Sequence, residues 1–294
     1  MIKILENKKT IFFVLFIGIL IRIIANYILK LPDFVDVSAY EKAGFEIINN
    51  FRIEKHIDRL FTSAHSIFIE LPITKKEIRT AIYSTIQLNE LSNAIVRLTV
   101  TRGEQTSGIN IDYNLPPTLV ILVKPVNIIP KSTYKKGVGI KLYKKSAIRV
   151  QGISNQIKSC NYLSNIILRE NALRENFFEA ILLDNNNNVT EGTISNIFIV
   201  KNNKLKTPSL NEFILDGIIR QTIIDLCIQK SIPLIEDLLT ENDLYEADEV
   251  FLTNSGIEVL PVSSINNHKL NNRCPGPITK LIHSSLLKSF EDLY

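Results

Sequence analysis

The feature that constrains this chain most is an apolar stretch from Ile11 to Leu29, in which only Gly18, Arg22 and Asn26 are not apolar. A helix of nineteen residues just spans the hydrocarbon core of a bilayer. Its fourteen Ile, Leu, Val and Phe side chains, at about −0.3 to −0.6 kcal/mol each, outweigh one arginine at roughly +2.5 to +3.5 kcal/mol. The stretch therefore predicts a membrane helix.

Two other interpretations of this stretch stay open. It could be a buried core helix, or a translated start that does not belong to the folded domain. A cleaved signal peptide fits less well, because no small-residue cleavage site follows the apolar run. We therefore assign residues 1–43 to an N-terminal apolar helix and linker, with residues 11–29 as a candidate membrane anchor.

Composition indicates an ordinary folded protein. The 294 residues are enough for two domains of about 150 residues each, and 45% hydrophobic with 22% charged residues excludes disordered and low-complexity classes. The net charge of +4 is spread along the chain, so no basic patch points to nucleic acid. The three cysteines and four histidines fall at no metal-ligand spacing, which predicts no metal site and no disulfide framework.

The chain after the apolar stretch mixes helix and strand patterns. An amphipathic helix is predicted from Phe51, and β-branched runs at 95–101 and 118–123 predict strands. The segment from Pro125 to Lys136 has two prolines and no periodicity, as is typical of a linker. We therefore divide the rest into a small α+β domain, an interdomain linker and a large domain, at residues 44–124, 125–135 and 136–294.

The large domain shows the same mixture. Apolar runs at 177–184 and 193–200 predict a hairpin joined across four asparagines. Asp216 stands at the cap position of a predicted helix, and Thr240 with Asp243 forms a capping-box pattern before a strand at 249–253. Irregular alternation of these elements predicts an α+β fold.

Five motifs occur in an informative order: HIDRL at 56–60, IKSCNYLSNIIL at 157–168, VTEGTISNIFIV at 189–200, LDGIIR at 215–220 and ADEVFLTNSGIEVLPV at 247–262. The series resembles the class IV (fold-type IV) pyridoxal-phosphate aminotransferases, which include branched-chain and D-amino-acid aminotransferases and aminodeoxychorismate lyase. The resemblance covers roughly residues 44–286. It implies a two-domain α+β fold, pyridoxal 5'-phosphate as cofactor and a homodimer.

By this resemblance, Lys158 would form the Schiff base with the cofactor, which requires its side chain to act as a free amine. Tyr162 would donate a hydrogen bond to the phenolic oxygen of the cofactor, although its spacing from Lys158 is one residue shorter than in branched-chain members. Glu191 would face the pyridine nitrogen and keep it protonated.

The resemblance also implies a phosphate site. Arg59 would bind the phosphate through its planar fork of donors. The backbone N–H groups of Ile218 and Ile219 would contribute from a helix N-terminus, and Asn254 and Ser255 from the later turn.

Three departures from the family pattern bear on the prediction. Only residues 44–46 survive of a longer N-terminal run, so we expect a truncated small domain. Ile219 stands where the family has a threonine, and Asp216 brings a carboxylate close to the phosphate site, which should weaken anion binding. Residues 106–110 lack the arginine that D-amino-acid and lyase members place there, so the substrate class is open.

The leading prediction is a transaminase that moves an amino group between an amino acid and a 2-oxo acid through Lys158. An aminodeoxychorismate lyase is the nearest alternative, favoured by the short spacing from Lys158 to Tyr162 and disfavoured by the missing arginine. A catalytically impaired, membrane-tethered family member is a third. We expect a cytoplasmic active domain, because an exported enzyme would lack a supply of the cofactor.

Overall fold

The computed structural model describes residues 45–47, 52–91, 94–104, 111–126, 128–144, 154–211, 213–270 and 274–291. The predicted apolar helix and candidate anchor, at residues 11–29, lies outside these residues. Within the described ranges, no helix is long and apolar enough to cross a membrane.

The described chain alternates helices with short strands. The helices are α1 Ile53–Ser66, α2 Lys75–Leu88, α3 Lys131–Lys136, α4 Leu163–Arg174, α5 Ile218–Gln229, α6 Glu241–Tyr245 and α7 Pro277–Glu291. The strands are β1 Phe45–Ile47, β2 Ala94–Thr101, β3 Thr118–Pro125, β4 Val138–Lys144, β5 Glu179–Leu183, β6 Asn188–Gly192, β7 Asn196–Lys201, β8 Lys204–Pro208, β9 Leu234–Asp237, β10 Leu239–Thr240, β11 Glu249–Asn254, β12 Glu258–Ile265 and β13 His268–Lys269.

A three-stranded antiparallel sheet, in the order β1-β2-β3, packs against α1 and α2. Ile57 of α1 and Ile78 and Ile82 of α2 meet Val96 of β2 in a buried apolar cluster. The amphipathic pattern predicted α1, which begins at Ile53. Helices α1 and α2 therefore cover one face of this sheet.

A ten-stranded mixed sheet forms the larger layer, in the order β10-β6-β5-β4-β12-β11-β7-β8-β9 with β13 paired to β12. Strand β4 runs parallel to β5 and β12, and β8 runs parallel to β9. Alternate residues of a strand point to opposite faces: Phe198 packs with α5 and α7, while Ile197 and Ile199 join the core on the other face. Both faces of the central strands are buried, and the fold is α+β.

The predicted hairpin between 177–184 and 193–200 is wrong. Strand β5 pairs instead with β6, across a turn in which Asp184 Oδ1 accepts from the backbone N–H groups of Asn186 and Asn188 and Asn187 takes a φ of 64°. Strand β7 pairs with β8 and β11. Asparagine does make the turn, but the polar run at 188–192, which lacks an apolar strand pattern, is itself a strand.

One further prediction needs correction, and one is confirmed. The proposed linker contains α3, a short helix that begins after Pro130 and ends at Lys136, before Gly137, whose φ is 71°. Gly217, rather than Asp216, is the N-cap of α5. The capping box at Thr240 is present as predicted. The division at residues 125–135 stays a prediction.

Candidate active site

Lys158 and Tyr162 lie on an irregular segment that leads into α4, with Tyr162 at the N-cap of that helix. Lys158 Nζ is 3.2 Å from Tyr162 Oη. The backbone N–H of Lys158 donates to Ser63 Oγ of α1 over 3.1 Å. The amine and the phenol are both half-buried, so the segment presents a lysine whose side chain is within hydrogen-bond distance of a hydroxyl.

Arg59 reaches this region from α1. Its Nη1 donates to the backbone oxygen of Asp216 over 3.1 Å. Burial lowers the pKa of Arg59 to about 10, although Tyr162 and Asp216 both favour its charged form. The guanidinium is still a cation at neutral pH, and it lies beside the residue that precedes the N-cap of α5.

His56 lies one turn before Arg59 on α1 and is 3% exposed. Burial, followed by the charges of Arg59 and Lys158, lowers the pKa of His56 well below its ordinary value of 6.5. The imidazole is therefore neutral at neutral pH, and α1 presents the buried His56 and Ser63 and the half-buried Arg59 on one polar face.

Glu191 lies near the end of β6 and is 7% exposed. Its Oε1 accepts from Asn155 Nδ2 over 3.1 Å, and its Oε2 accepts from the backbone N–H of Leu215 over 2.8 Å. Asn196 of β7 donates through Nδ2 to the backbone oxygen of the same Leu215 over 2.8 Å. Side chains from two strands thus fix the segment that leads into α5.

The N-terminus of α5 begins at Gly217, which has no side chain to cap the helix. The first backbone N–H groups of a helix have no carbonyl partner within the helix, so they favour an anion. The side chains of Ile218 and Ile219 are 3% and 2% exposed, and these residues can offer a ligand only their backbone. A Cβ atom built on Gly217 would lie 2.1 Å from Asn196 Oδ1, so the backbone of this helix start is closely packed.

The Asp216 carboxylate does not cap α5. Its Oδ1 accepts from Arg220 Nη1 over 3.3 Å, and its Oδ2 accepts from Gln221 Nε2 over 2.8 Å. Arg220 is 2% exposed and also binds Glu236. The negative charge of Asp216, which we expected to weaken anion binding at this helix start, is therefore paired with the buried guanidinium of Arg220.

Asn254 and Ser255 lie at the turn after β11. The side chain of Asn254 serves that turn, because Oδ1 accepts from the N–H groups of Gly256 and Ile257 over 2.7 and 2.9 Å. Its Nδ2 donates to the oxygen of Ile194 over 2.9 Å. Ser255 is half-buried in the same turn. Asn254 therefore shapes the turn and ties it to the turn after β6.

Hydrogen bonds and close contacts join most of the predicted residues into one connected set. Lys158 meets Tyr162, Arg59 meets the residue before the α5 N-cap, and Glu191 meets the segment before it. The hydrogen bonds of Asn254 instead lie within its own turn and with Ile194. A primary amine, a phenol, a guanidinium and a helix N-terminus in one set suit a carbonyl compound that carries a phosphate.

Several residues of the site were not predicted as site residues, among them His56, Ser63, Asn155 and Asn196. Ser63 follows Arg59 by four residues on a predicted helix, so helical periodicity would have placed both on one face. Asn196 lies inside one of the quoted motifs. Asn155 precedes Lys158 by three residues in irregular chain, and no local pattern marks it.

Comparisons with known proteins identify a family and relatives for this chain. The family model described as amino-transferase class IV matches residues 38–265. A putative branched-chain-amino-acid aminotransferase of Methanocaldococcus jannaschii is 37% identical over 243 residues, which cover 83% of this chain and 82% of that protein. A D-alanine aminotransferase of Bacillus licheniformis is 31% identical over 239 residues, which cover 81% of this chain and 82% of that protein.

Solved structures share the fold. A crystal structure of the branched-chain amino acid aminotransferase of Escherichia coli matches with a TM-score of 0.76 at 29% identity, covering 82% of this chain and 79% of that one. The branched-chain aminotransferase of Thermobaculum terrenum, in its PLP form, matches with a TM-score of 0.75 at 24% identity, covering 87% and 89%.

Proposed function

This chain belongs to the class IV aminotransferase family, and on that premise we propose that it is a pyridoxal-phosphate-dependent transaminase that moves an amino group between an amino acid and a 2-oxo acid. The observation that carries the proposal is the position of Lys158 Nζ, 3.2 Å from the hydroxyl of Tyr162. The guanidinium of Arg59 lies in the same connected set of contacts, beside the start of α5.

The residues present fit pyridoxal phosphate. Gly217 carries no side chain, and a Cβ there would collide with Asn196 Oδ1, so the start of α5 can offer a phosphate only its backbone N–H groups. Arg59 supplies a cation beside that helix start, Lys158 an amine and Glu191 a carboxylate. These are the groups that a phosphate, an aldehyde and a pyridine nitrogen require.

Each residue has a role of its own in this proposal. Lys158 would hold the cofactor covalently and move a proton at the α-carbon of the substrate. Tyr162, whose hydroxyl is 3.2 Å from the Lys158 amine, would donate a hydrogen bond to the phenolic oxygen of the cofactor. When bound, pyridoxal phosphate supplies an electron sink for the substrate carbanion. Glu191 would keep the pyridine nitrogen protonated.

The phosphate would be bound at the other end of the site. Arg59 would meet it with N–H donors, and Ile218 and Ile219 would offer their backbone N–H groups. Ser255 would add its hydroxyl. Asn254 would act through the shape of its turn, because its amide is engaged there.

The test uses absorbance and activity together. Full-length protein incubated with pyridoxal 5'-phosphate is expected to gain visible absorbance and to transaminate an amino acid. Lys158→Ala should lose both. The matched control is Lys204→Ala, which removes an exposed lysine at the start of β8 and should retain both.

The amino donor is decided by the same assay. Relatives of this chain are named for branched-chain amino acids and for D-alanine. We therefore expect 2-oxoglutarate to accept an amino group either from L-valine, L-leucine and L-isoleucine or from D-alanine. Turnover of aminodeoxychorismate without transamination of any amino acid would contradict the proposal.

Two accompanying expectations stay predictions. Family members are expected to form homodimers, which light scattering of the purified chain would measure. A cytoplasmic location is expected as well, and fractionation of cells followed by a salt wash would test it against tethering through residues 11–29.

A further inference from the structure

Asn155 lies three residues before Lys158, and its side-chain nitrogen meets two acceptors. Nδ2 is 3.1 Å from Glu191 Oε1 and 2.8 Å from the backbone oxygen of Phe213. A carboxylate and a carbonyl can only accept, so these partners identify which end of the amide is the nitrogen. The two N–H bonds of the amide suffice for both contacts.

The other oxygen of Glu191 is bound by the same stretch of chain. Oε2 accepts from the backbone N–H of Leu215, two residues after Phe213. A carboxylate that is 7% exposed is stable as an anion only when donors replace the lost water. Asn155 and Leu215 supply such donors, one to each oxygen, and so favour the ionised form and fix its orientation.

These bonds join three parts of the site. Asn155 belongs to the segment of Lys158, Glu191 belongs to β6, and residues 213–215 lead through Asp216 into the N-terminus of α5. The side chain of Asn155 therefore contacts both Glu191 of β6 and the backbone of Phe213, and its own backbone belongs to the segment of Lys158.

We propose that Asn155 is a positioning residue, which orients the Glu191 carboxylate toward the pyridine nitrogen and keeps it in register with Lys158 and the start of α5. The proposal rests on the proposed function, since it assigns Glu191 to that nitrogen. Asn155 touches no reacting atom in this role and acts only through Glu191 and residues 213–215.

The test compares two cofactors on the full chain after removal of its own cofactor. One is pyridoxal phosphate, and the other is the analogue in which carbon replaces the ring nitrogen. Asn155→Ala should bind pyridoxal phosphate about tenfold more weakly, since it removes a donor to a buried charge. It should bind the analogue nearly as well as the wild type, because the analogue makes no contact of this kind with Glu191.

Two further variants sharpen the comparison. Gln156→Ala is the matched control, because Gln156 Nε2 donates to the backbone oxygen of Asn211 over 3.2 Å and so links neighbouring parts of the same two segments through a different acceptor. It should bind both cofactors as the wild type does. Asn155→Asp should bind pyridoxal phosphate more weakly than Asn155→Ala, since it sets a second carboxylate against Glu191.

The outcomes separate this proposal from the proposed function. If the wild type takes up pyridoxal phosphate but Asn155→Ala binds it equally tightly, the role of Asn155 is overturned and the transaminase proposal stands. If Asn155→Ala weakened the binding of pyridoxal phosphate and of the analogue equally, the substitution would have loosened the segment in general. That result would also overturn the role of Asn155. A wild type that takes up no cofactor overturns both proposals.

Discussion

The hydroxyl of Ser63 accepts a hydrogen bond from the backbone N–H of Lys158 over 3.1 Å, across 95 positions of sequence. Ser63 is 6% exposed and lies one turn after Arg59 on α1. The same helix that brings the guanidinium into the site therefore also fixes the backbone of the lysine.

Ser63→Ala is expected to lower the free energy of unfolding by about 1–3 kcal/mol, because the Lys158 N–H loses its acceptor in a partly buried site. Urea unfolding of the cofactor-free protein measures the change. Ser66→Ala is the control, since Ser66 Oγ donates to the Thr62 oxygen at the exposed end of the same helix. If both variants lowered the free energy of unfolding equally, the bond between Ser63 and Lys158 would not be the cause of the loss.

Gly217→Ala is expected to weaken binding of a phosphate-bearing ligand, because the new Cβ would lie 2.1 Å from Asn196 Oδ1. Backbone strain is not the cause, since Gly217 has a φ of −69°, which any residue adopts. The dissociation constant of pyridoxal phosphate measures the effect.

A double-mutant cycle with Asn196→Ala checks the cause of that effect. Asn196→Ala removes the Oδ1 atom with which the new Cβ would collide, although it also removes the hydrogen bond to the backbone oxygen of Leu215. The double variant should therefore lose less affinity than the sum of the single variants. Strict additivity would show that Gly217→Ala acts elsewhere.

The buried His56 predicts a loss of stability in weak acid. Its folded-state pKa is lowered, by burial first and by Arg59 and Lys158 next, so between that value and its ordinary 6.5 only the unfolded chain binds the proton. Stability from this group is thus complete above about pH 6.5 and falls below it, by up to about 1.4 kcal/mol per pH unit.

Urea unfolding at about pH 7.5 and about pH 5 measures this dependence. His56→Gln should lose less stability between the two than the wild type, because it has no imidazole to protonate. The control is His65→Gln, at an exposed position of the same helix where His65 Nδ1 is 2.8 Å from Glu70 Oε1. A wild type whose stability is flat over this range would contradict the prediction.

Glu179 is expected to be the costliest of these sites to change. It is fully buried, lies 3.3 Å from Arg169, and accepts from the hydroxyl of Ser195 and the N–H of Ile194 in the turn between β6 and β7. Glu179→Leu leaves a guanidinium that is 11% exposed without its charge partner. The free energy of unfolding should fall by about 3–5 kcal/mol.

Denaturant unfolding measures that loss. Glu241→Leu is the control: this half-buried carboxylate in the first turn of α6 accepts from the Tyr245 hydroxyl over 3.4 Å, so its removal should cost much less. The double variant with Arg169→Leu should recover part of the stability, because an apolar pair costs less to bury than a single charge. No recovery would assign the loss to the hydrogen bonds of the turn alone.

Local patterns predicted those elements whose signals are local. Apolar periodicity indicated α1, β2 and β3, and side-chain spacing indicated the capping box at Thr240. Strand β6 was missed, because Thr190 and Glu191 are polar and yet buried beside β5. A buried polar strand has no alternating apolar signature.

The site residues, too, divide into those that a sequence motif marks and those that no local pattern marks. The motif order predicted Lys158, Tyr162, Arg59 and Glu191, whose contacts the structure connects, although their roles stay predictions. Helical periodicity places Ser63 on the face of Arg59 but does not reveal its bond to Lys158, which lies 95 positions away. Asn155 has no local pattern at all, because its partner Glu191 is brought to it only by tertiary packing.

Helix α1 packs on the three-stranded sheet, yet Arg59 and Ser63 attach it to segments that flank the ten-stranded one. A rotation that parted the two layers would break the Lys158 and Asp216 contacts in a single event. These two hydrogen bonds therefore oppose such a rotation, at roughly 1–3 kcal/mol each.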